Sequence, residues 1–292
     1  MKVLVFGASG QLGSELIAQS PALGIPSWGP PHDAVDVTDA AALEAAIEAA
    51  GPEVVINATG DHVVPACDQF PARAFATNAV AVGHMAEACA RRGAEFMTVS
   101  TDYVFDGGKG SPYLEDDPPN PLQTYGVSKY AGELLARNAY ARAVVIRTCG
   151  LYGGESGSRA KHGNFVLSVL RESEHREELE VSSEQIVNPT YAADLAAAIL
   201  ALLAARPAGG LYHLAASGYC SWAEFATEIV KLADRPMRIV PVDQGARTGD
   251  MRRPRFSALA NARGRAAGVT LPDWKDGLGR YLRRLSLMAA KP

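Results

Sequence analysis

The chain has 292 residues, with 28 Lys or Arg against 32 Asp or Glu and a formal net charge of -4. Its hydrophobic fraction of 48% is ordinary for a globular protein and excludes a chain that is disordered throughout. The mild acidic excess argues against a dedicated nucleic-acid-binding protein, which would carry a basic face. The length predicts one large domain or two unequal ones.

Four cysteines are widely spaced and form no C-x-x-C pair, which is typical of reduced thiols in a cytoplasmic protein. The apolar run at the amino terminus ends at Gly7. It is shorter than the roughly 7–15 apolar residues of a secretory signal, and no other run approaches the roughly 18 of a membrane span. We therefore expect a cytoplasmic protein with no membrane partner.

Short apolar runs alternate with helical patterns through the first 150 residues. Four of these runs have apolar, often β-branched centres and predict strands buried on both faces. The predicted strands are 2–6, 53–57, 95–100 and 143–147. The first predicted helix begins near residue 11, and the next three cover 38–50, 72–92 and 124–141. This alternation predicts an α/β fold, a Rossmann-type doubly wound parallel sheet.

Beyond residue 150 the alternation is less regular, so we predict a smaller C-terminal α/β region beyond the carboxyl edge of the sheet. Ser221 and Glu224 have the spacing of a capping box that opens a helix. The predicted helices are 164–171, 191–205, 222–233 and 274–287. The other predicted segments are a strand at 180–183 and loops at 153–163 and 247–256.

The first motif is G-x-x-G-x-x-G, directly between the first strand and the first helix. Glycines there permit a tight turn and let backbone N–H groups approach a pyrophosphate at the positive end of the helix. The string is common in a Gly-rich chain, but its position favours a dinucleotide site over a turn without a ligand. The predicted contacts are Gly7, Ser9, Gly10, Gln11, Leu12 and Gly13.

The choice of cofactor depends on the end of the second strand. A carboxylate there would bind the ribose hydroxyls of NAD and repel the extra phosphate of NADP. The segment 26–33 has no acidic residue at the likely strand end, but it also has no Arg to hold that phosphate. We expect NADPH to be favoured over NADH, with both possible.

The second motif is Tyr125-x-x-x-Lys129. On a helix, residues four apart lie on one face, so the phenol and the ammonium can act side by side. A neighbouring cation is expected to lower the pKa of the phenol and make it a better proton donor to a carbonyl. Ser100 and Thr101 end the fourth strand, at the edge where such sheets bind ligands, so a hydroxyl there can orient the same carbonyl.

Together these residues resemble the extended short-chain dehydrogenase/reductases, and within them the dTDP-4-dehydrorhamnose reductase family. The resemblance runs nearly end to end, and S-T-D-Y-V-F-D-G at 100–107 is its most specific motif. It also rests on segments 7–13, 36–39, 55–58, 112–116, 125–129, 188–196, 212–226 and 253–254. We expect an NAD(P)-binding Rossmann domain over 1–150, joined by later segments at about 180–215. Residues 151–292 would mainly bind substrate.

The resemblance implies hydride transfer from a nicotinamide to the 4-keto carbon of a nucleotide-linked 6-deoxysugar, most simply from dTDP-4-dehydrorhamnose to dTDP-L-rhamnose. It implies that Tyr125 donates the proton, that Lys129 holds the nicotinamide ribose, and that Thr101 hydrogen-bonds the carbonyl oxygen. The further cofactor contacts implied are Asp36, Val37, Ala58, Thr59 and Gly60. The substrate contacts implied are Ser100, Asp102, Tyr103, His62, Gly150, Asn164 and Arg253.

The sequence departs from the family's pattern on the sugar side. Gly150 stands where the family usually has the Trp of R-T-S-W, and the stretch 59–68 lacks a Tyr and a central Asp. The cofactor motifs are intact, so these departures bear on the substrate more than on the reaction. Two alternatives stay open: another extended-family epimerase or reductase, and a non-catalytic NADP-binding regulatory subunit. The presence of Thr101, Tyr125 and Lys129 argues against the second.

The expected partner is a small nucleotide-sugar, with the protein a monomer or homodimer. We predict no metal site, because the six histidines have no paired spacing and only Glu15 and perhaps Asp194 match the family's metal-bridged dimer contact. Asn78 could serve a proton relay, but we favour a hydrogen bond to the loop near the catalytic strand. The arginines at 252, 253 and 255 could bind a diphosphate or belong to a solvated loop.

Overall fold

The computed structural model describes residues 1–31, 33–155, 157–158, 163–243, 247–248 and 251–289. The strands are β1 Val3–Phe6, β2 Ser27–Trp28, β3 Val54–Asn57, β4 Glu95–Thr101, β5 Val144–Thr148, β6 Leu151–Tyr152, β7 Glu178–Ser182, β8 Ile186–Val187, β9 Thr190–Tyr191, β10 Gly210–His213, β11 Cys220–Ser221, β12 Arg238–Val242, β13 Arg247–Thr248 and β14 Met251–Arg252. The helices are α1 Gln11–Gln19, α2 Ala40–Ala50, α3 Val64–Gln69, α4 Pro71–Phe75, α5 Ala81–Arg92, α6 Thr124–Ala139, α7 Phe165–Glu172, α8 Ala192–Ala204, α9 Trp222–Leu232, α10 Ala262–Ala266 and α11 Trp274–Ala289.

A six-stranded parallel sheet lies at the centre, with the strand order β10-β5-β4-β3-β1-β2. Phe6 pairs with Asn57, and Asn57 pairs with Thr98, so β1, β3 and β4 end near the same edge. The four residues of β1 and the four of β3 are all buried, which explains their unbroken apolar character. The predicted α/β fold with a doubly wound parallel sheet is confirmed.

Helices cover both faces of this sheet. On one face, α1 and α8 pack their leucines against β1, β3 and β5. On the other face, α2, α5 and α6 pack against side chains of β1, β3 and β4. This two-sided burial leaves the edge at which β1, β3 and β4 end as the place for a ligand.

The later part of the chain forms a second apolar cluster, centred on aromatic residues of α9 and α11. Phe225 and Tyr281 pack against Tyr152, with ring centroids 5.4 Å away in each case. The parallel pair β7 and β12 lies beside α9, while β10 joins the central sheet next to β5. The division into a cofactor domain and a substrate region stays a prediction.

The last helix is fastened to the first one and to α8 by ion pairs. Arg280 donates to both carboxylate oxygens of Asp194, at 2.5 and 2.7 Å. One turn further on, Arg284 donates to Glu15 at 2.5 Å. Tyr281 lies between them and donates its hydroxyl to the Gly154 carbonyl oxygen at 2.8 Å. The final element therefore supports the helix that follows the glycine turn.

Two predicted segments differ in detail from the observed ones. The helix predicted over 72–92 is interrupted by a π-helical turn at Ala76–Val80 between α4 and α5. The loop predicted over 247–256 is wrong in part, because β13 and β14 pair with each other as a short antiparallel ribbon. The predicted loop 153–163 lies partly outside the described residues. Within the described ranges, no helix is long and apolar enough to cross a membrane.

Candidate active site

The glycine turn has a backbone that side chains could not follow. Gly7 has φ +82°, and a Cβ built on it would lie 2.7 Å from the Ala58 carbonyl oxygen. A Cβ on Gly13 would lie 2.1 Å from the Gly7 carbonyl oxygen, which is well inside contact distance. Gly10 is the N-cap residue of α1, and among the described residues no side-chain cap hydrogen bond is made at this helix start. The turn therefore fits a phosphate group that approaches bare backbone at a helix N-terminus.

The side chains of the predicted cofactor segment point in different directions. Ser9 is exposed, whereas Leu12 is buried in the core and can offer a ligand only its backbone. Gln11 Oε1 accepts from Gly153 N at 3.0 Å and from Asn164 Nδ2 at 3.3 Å. Asn164 also donates to the Tyr281 hydroxyl, so its amide joins α1 to α11. Its predicted contact with substrate stays a prediction.

Asp36 and Val37 lie in the turn before α2. Asp36 Oδ1 accepts from the backbone N–H and the hydroxyl of Thr38, at 2.9 and 2.7 Å. Val37 is half-buried against the apolar cluster under α2. Neither residue belongs to a strand of the central sheet. Their contacts with a cofactor stay predictions.

The loop after β3 lies between the glycine turn and Lys129 on α6. Ala58 N donates to the Phe6 carbonyl oxygen, and Thr59 donates through its N–H and hydroxyl to Asn57 Oδ1. A Cβ built on Gly60 would lie 3.9 Å from Lys129 Nζ. The loop thus connects the predicted phosphate turn with the predicted nicotinamide end.

Asn78, in the π-helical turn, holds this loop in place. Its Oδ1 accepts from Asp61 N, and its Nδ2 donates to the Asp61 carbonyl oxygen, both at 2.8 Å. Nδ2 also donates to the Ser128 hydroxyl at 3.0 Å. A Cβ on Gly132 would lie 2.1 Å from the Asn78 carbonyl oxygen, so glycine permits this close packing. The geometry agrees with the favoured interpretation, a hydrogen bond to the loop.

Three predicted catalytic residues meet at the carboxyl end of β4. The Thr101 hydroxyl lies beside the Tyr125 phenol. Lys129, one turn along α6, is buried and donates from Nζ to the Val99 carbonyl oxygen at 2.6 Å. The Tyr103 ring meets the Tyr125 ring edge-on, with centroids 5.9 Å apart. A substrate carbonyl at this point would face both hydroxyls.

The expected lowering of the Tyr125 pKa by Lys129 is not what the structure shows. Tyr125 is partly exposed, yet surrounding protein atoms desolvate the phenol and raise its pKa, and the charge of Asp102 adds to this. Burial also lowers the pKa of Lys129 to about 8. Desolvation therefore outweighs the ammonium as an influence on the phenol. The consequence is a phenol that keeps its proton at neutral pH.

A buried ion pair that sequence reasoning missed lies beneath Lys129. Glu133 accepts from Arg147 Nε and Nη2, at 2.9 and 2.6 Å, and from the Ser100 hydroxyl at 2.5 Å. Glu133 is 4% exposed and Arg147 is 2% exposed. Two signals could have found it: Glu133 follows Lys129 by four residues, and Arg147 is a charge within an apolar strand. The Ser100 hydroxyl is thereby directed into the protein, and its substrate role stays a prediction.

Asp102 and Tyr103 lie in the single 3-10 turn after β4. Burial raises the pKa of Asp102 to about 6, against the hydrogen bond that the Ser257 hydroxyl donates to its carboxylate. Burial likewise raises the pKa of Tyr103 to about 12, while the positive charge of nearby Arg253 opposes this. The structure therefore brings Asp102, Tyr103 and Arg253 to the side of Thr101 and Tyr125.

Two further predicted substrate residues, His62 and Gly150, contact other loops of the protein. His62 Nδ1 lies 3.1 Å from the Gly60 carbonyl oxygen, and its Nε2 lies 2.7 Å from the Ser158 hydroxyl. Gly150 has φ +57°, and a Cβ on it would lie 2.9 Å from the Asn188 carbonyl oxygen. The backbone at 150 therefore disfavours any side chain. Contacts of His62 and Gly150 with a substrate stay predictions.

Comparisons with known proteins agree with this geometry. The family model described as RmlD substrate binding domain matches residues 1–287. The dTDP-4-dehydrorhamnose reductase of Burkholderia thailandensis is 36% identical over 304 residues, covering 98% of this chain and 99% of the relative. The spore coat polysaccharide biosynthesis protein SpsK of Bacillus subtilis is 35% identical over 285 residues, covering 98% of each. A solved Bacillus anthracis dTDP-4-dehydrorhamnose reductase, in complex with NADP, has a TM-score of 0.89 at 30% identity and covers 97% of this chain and 99% of that one.

The parallel sheet, the glycine turn and the Tyr125–Lys129 pair define an extended short-chain dehydrogenase/reductase. Within that class, the chain belongs to the dTDP-4-dehydrorhamnose reductase family, since the family model and the relatives match nearly all of it. The resemblance inferred from the sequence is confirmed.

Proposed function

We propose that the protein reduces the 4-keto group of dTDP-4-dehydrorhamnose to give dTDP-L-rhamnose. One observation carries the proposal: the Tyr125 phenol lies beside the Thr101 hydroxyl at the end of β4, with Lys129 one helical turn away. This arrangement lies on the same sheet edge as the glycine turn. The relative from Burkholderia thailandensis carries the name of this reductase and supports the choice of sugar.

The cofactor in this proposal is a nicotinamide dinucleotide, with NADPH preferred to NADH. The turn fits such a group, because Gly7 and Gly13 let the backbone pack closely where side chains would collide with it, and Ser9 and Gly10 are exposed at the start of α1. After β2 the sequence is Gly-Pro-Pro, without an acidic residue that would repel a ribose phosphate. The Bacillus anthracis relative was solved with NADP, which supports the same preference. The bound cofactor supplies the hydride.

Each residue at the end of β4 has a defined task in this reaction. Tyr125 passes its proton to the carbonyl oxygen as the carbonyl carbon accepts a hydride, which leaves an alcohol and a phenolate. Lys129 holds the nicotinamide ribose from its fixed place on the Val99 carbonyl oxygen. Burial raises the pKa of the phenol, which therefore keeps its proton until the substrate arrives. The Thr101 hydroxyl hydrogen-bonds the same carbonyl oxygen.

The test mixes the protein with NADPH or NADH and a panel of dTDP-4-keto sugars, and follows the absorbance of the reduced cofactor. Tyr125→Phe should lower turnover by roughly 100-fold to 10,000-fold, since proton donation belongs to the transition state. Its cofactor affinity should stay close to that of the unchanged protein.

Tyr140→Phe is the matched control, because the Tyr140 hydroxyl lies at the far end of α6 and has no hydrogen-bond partner among the described residues. It should leave turnover unchanged. Tight cofactor binding without oxidation by any sugar would overturn the reductase and favour the non-catalytic regulatory subunit. Turnover of a different sugar, but not of dTDP-4-dehydrorhamnose, would favour another reductase of the extended class.

A further inference from the structure

Lys129 carries its ammonium inside the protein, next to uncharged groups. Its side chain is 6% exposed, and its Nζ donates to the Val99 carbonyl oxygen at 2.6 Å. Gly60 faces the same ammonium, since a Cβ built on it would lie 3.9 Å from Nζ. Neither a carbonyl nor a glycine balances a positive charge. A buried ammonium is costly unless a charge of opposite sign compensates it, so a carboxylate is needed within reach.

Glu133 supplies that charge from one turn further along α6. Residues four apart lie on the same face of a helix. Lys129 bonds to Val99 of β4, and Glu133 accepts from Ser100, the next residue of that strand. Desolvation lowers the pKa of Lys129 to about 8, and the charge of Glu133 acts in the opposite direction. Without this carboxylate the ammonium would lose its proton at a lower pH.

Other titratable or charged groups lie near this part of the helix. The neighbouring elements contribute Cys67 from α3, Asp102 from the turn after β4 and Arg147 from β5, beside Tyr125 and Glu133 of α6 itself. Cys67 and Asp102 act on the Tyr125 phenol, whereas the Lys129 ammonium responds to Glu133.

Arg147 keeps the Glu133 carboxylate out of a direct ion pair with Lys129. Its Nε and Nη2 donate to the two carboxylate oxygens, and the Ser100 hydroxyl donates to one of them. A guanidinium bound in this bidentate way fixes the orientation of a carboxylate. Among the described residues, no ion pair joins Glu133 to Lys129. An ammonium has three N–H donors, so two remain beside the one on Val99.

We propose that Glu133 is a positioning residue: Arg147 holds its carboxylate where the charge favours the Lys129 ammonium, yet where it takes none of the N–H donors that bind the nicotinamide ribose. This inference deepens the proposed function and rests on the role given there to Lys129. Arg147 has a matching part, since without it the carboxylate can turn toward Lys129 and occupy those donors. Loss of Glu133 and loss of Arg147 therefore act on Lys129 with opposite signs.

The first test follows the titration of Lys129 by NMR of the lysine side chains, and it needs neither cofactor nor sugar. Lys129→Met identifies the signal. In Glu133→Gln the Lys129 signal should titrate about one pH unit lower, because the ammonium has lost its compensating charge. Glu95→Gln, at the opposite end of β4, is the matched control and should leave the titration unchanged. An unchanged titration in Glu133→Gln would overturn the proposal.

Arg147→Met is the second variant and has the opposite expected sign. The released Glu133 carboxylate should pair with Lys129 and move its titration about one pH unit higher. The dissociation constant for NADPH at pH 7, measured by the fluorescence of the bound cofactor, should rise roughly tenfold, because the ribose and the carboxylate then compete for the same donors. A shift of Lys129 to lower pH, or no shift, would contradict the part given to Arg147.

A double variant guards against changes that disturb the fold. Each single change leaves one buried group without its partner, so thermal unfolding is measured for both. Glu133→Gln combined with Arg147→Met leaves neither charge of the bridge in the core, and such replacements are often neutral for stability. Lys129 should again titrate at lower pH, as in Glu133→Gln alone. A Lys129 titration like that of the unchanged protein would overturn the proposal.

Cofactor binding and turnover separate this inference from the proposed function. As the pH is raised above 7, the NADPH affinity of Glu133→Gln should begin to fall about one pH unit earlier than that of the unchanged protein. A loss of affinity that is equal at every pH would indicate a structural role and overturn the inference. If the unchanged protein reduces no dTDP-4-keto sugar, the proposed function fails, whereas the Lys129 titration still decides the role of Glu133.

Discussion

The glycine turn and the surroundings of Asp102 are assembled from the chain in different ways. The turn lies within seven consecutive residues, and its shape follows from glycines that tolerate close backbone contacts. The Asp102 carboxylate depends on Ser257, which is 155 residues away along the chain. A local segment can therefore specify a phosphate cradle by itself. The polar surroundings of a catalytic hydroxyl need the whole fold.

Arg147→Met should have the largest effect, because it breaks the buried ion pair that joins α6 to β5 beside the end of β4. The change leaves the Glu133 carboxylate buried without its partner, and we expect the free energy of unfolding to fall by about 3–5 kcal/mol. Urea denaturation measures this loss. Arg142→Met is the matched control, since Arg142 is 63% exposed and its loss should cost less than about 0.5 kcal/mol. Equal effects of the two changes would contradict a special role for the buried pair.

Gly13→Ala should damage the cofactor turn alone. The added Cβ would lie 2.1 Å from the Gly7 carbonyl oxygen, so the backbone must move where a phosphate would bind. We expect the dissociation constant for NADPH to rise on the order of 100-fold, or about 2.7 kcal/mol. Gly279→Ala, in the middle of α11, is the control and should leave that constant unchanged. Tight NADPH binding by Gly13→Ala would show that the cradle lies elsewhere.

His213 offers a smaller test on the strand where the later part of the chain rejoins the sheet. Burial lowers the pKa of His213 to about 3, and the nearby charge of Arg147 acts in the same direction. The folded protein therefore binds fewer protons than the unfolded chain between about pH 6.5 and 3, so stability falls as the pH falls through this window. When the pH is lowered from 7.5 to 5.5, the free energy of unfolding of His213→Gln should fall by about 1 kcal/mol less than that of the unchanged protein. Urea denaturation at the two pH values measures both losses. Equal losses in the two proteins would indicate that the His213 imidazole is protonated in the folded protein.

The sequence predicted those parts of the site that local geometry determines. The glycine turn, the end of β4 and the helical spacing of Tyr125 and Lys129 all follow from strand ends and the helix repeat, and each has its expected position. The Glu133–Arg147 pair escaped because it joins a helix to a strand through the core. The pKa of Tyr125 was misjudged for a related reason: desolvation depends on how many groups surround the phenol, which spacing does not reveal.

The attachment of α11 to α1 has a consequence for the order in which the protein can fold. Arg284, which pairs with Glu15 of α1, follows Glu15 by 269 residues along the chain and is synthesised much later. Until then, Glu15 is an unpaired carboxylate on an apolar helix. The cofactor turn can form from local residues alone, yet the helix behind it gains its ion pair only after α11 has been synthesised.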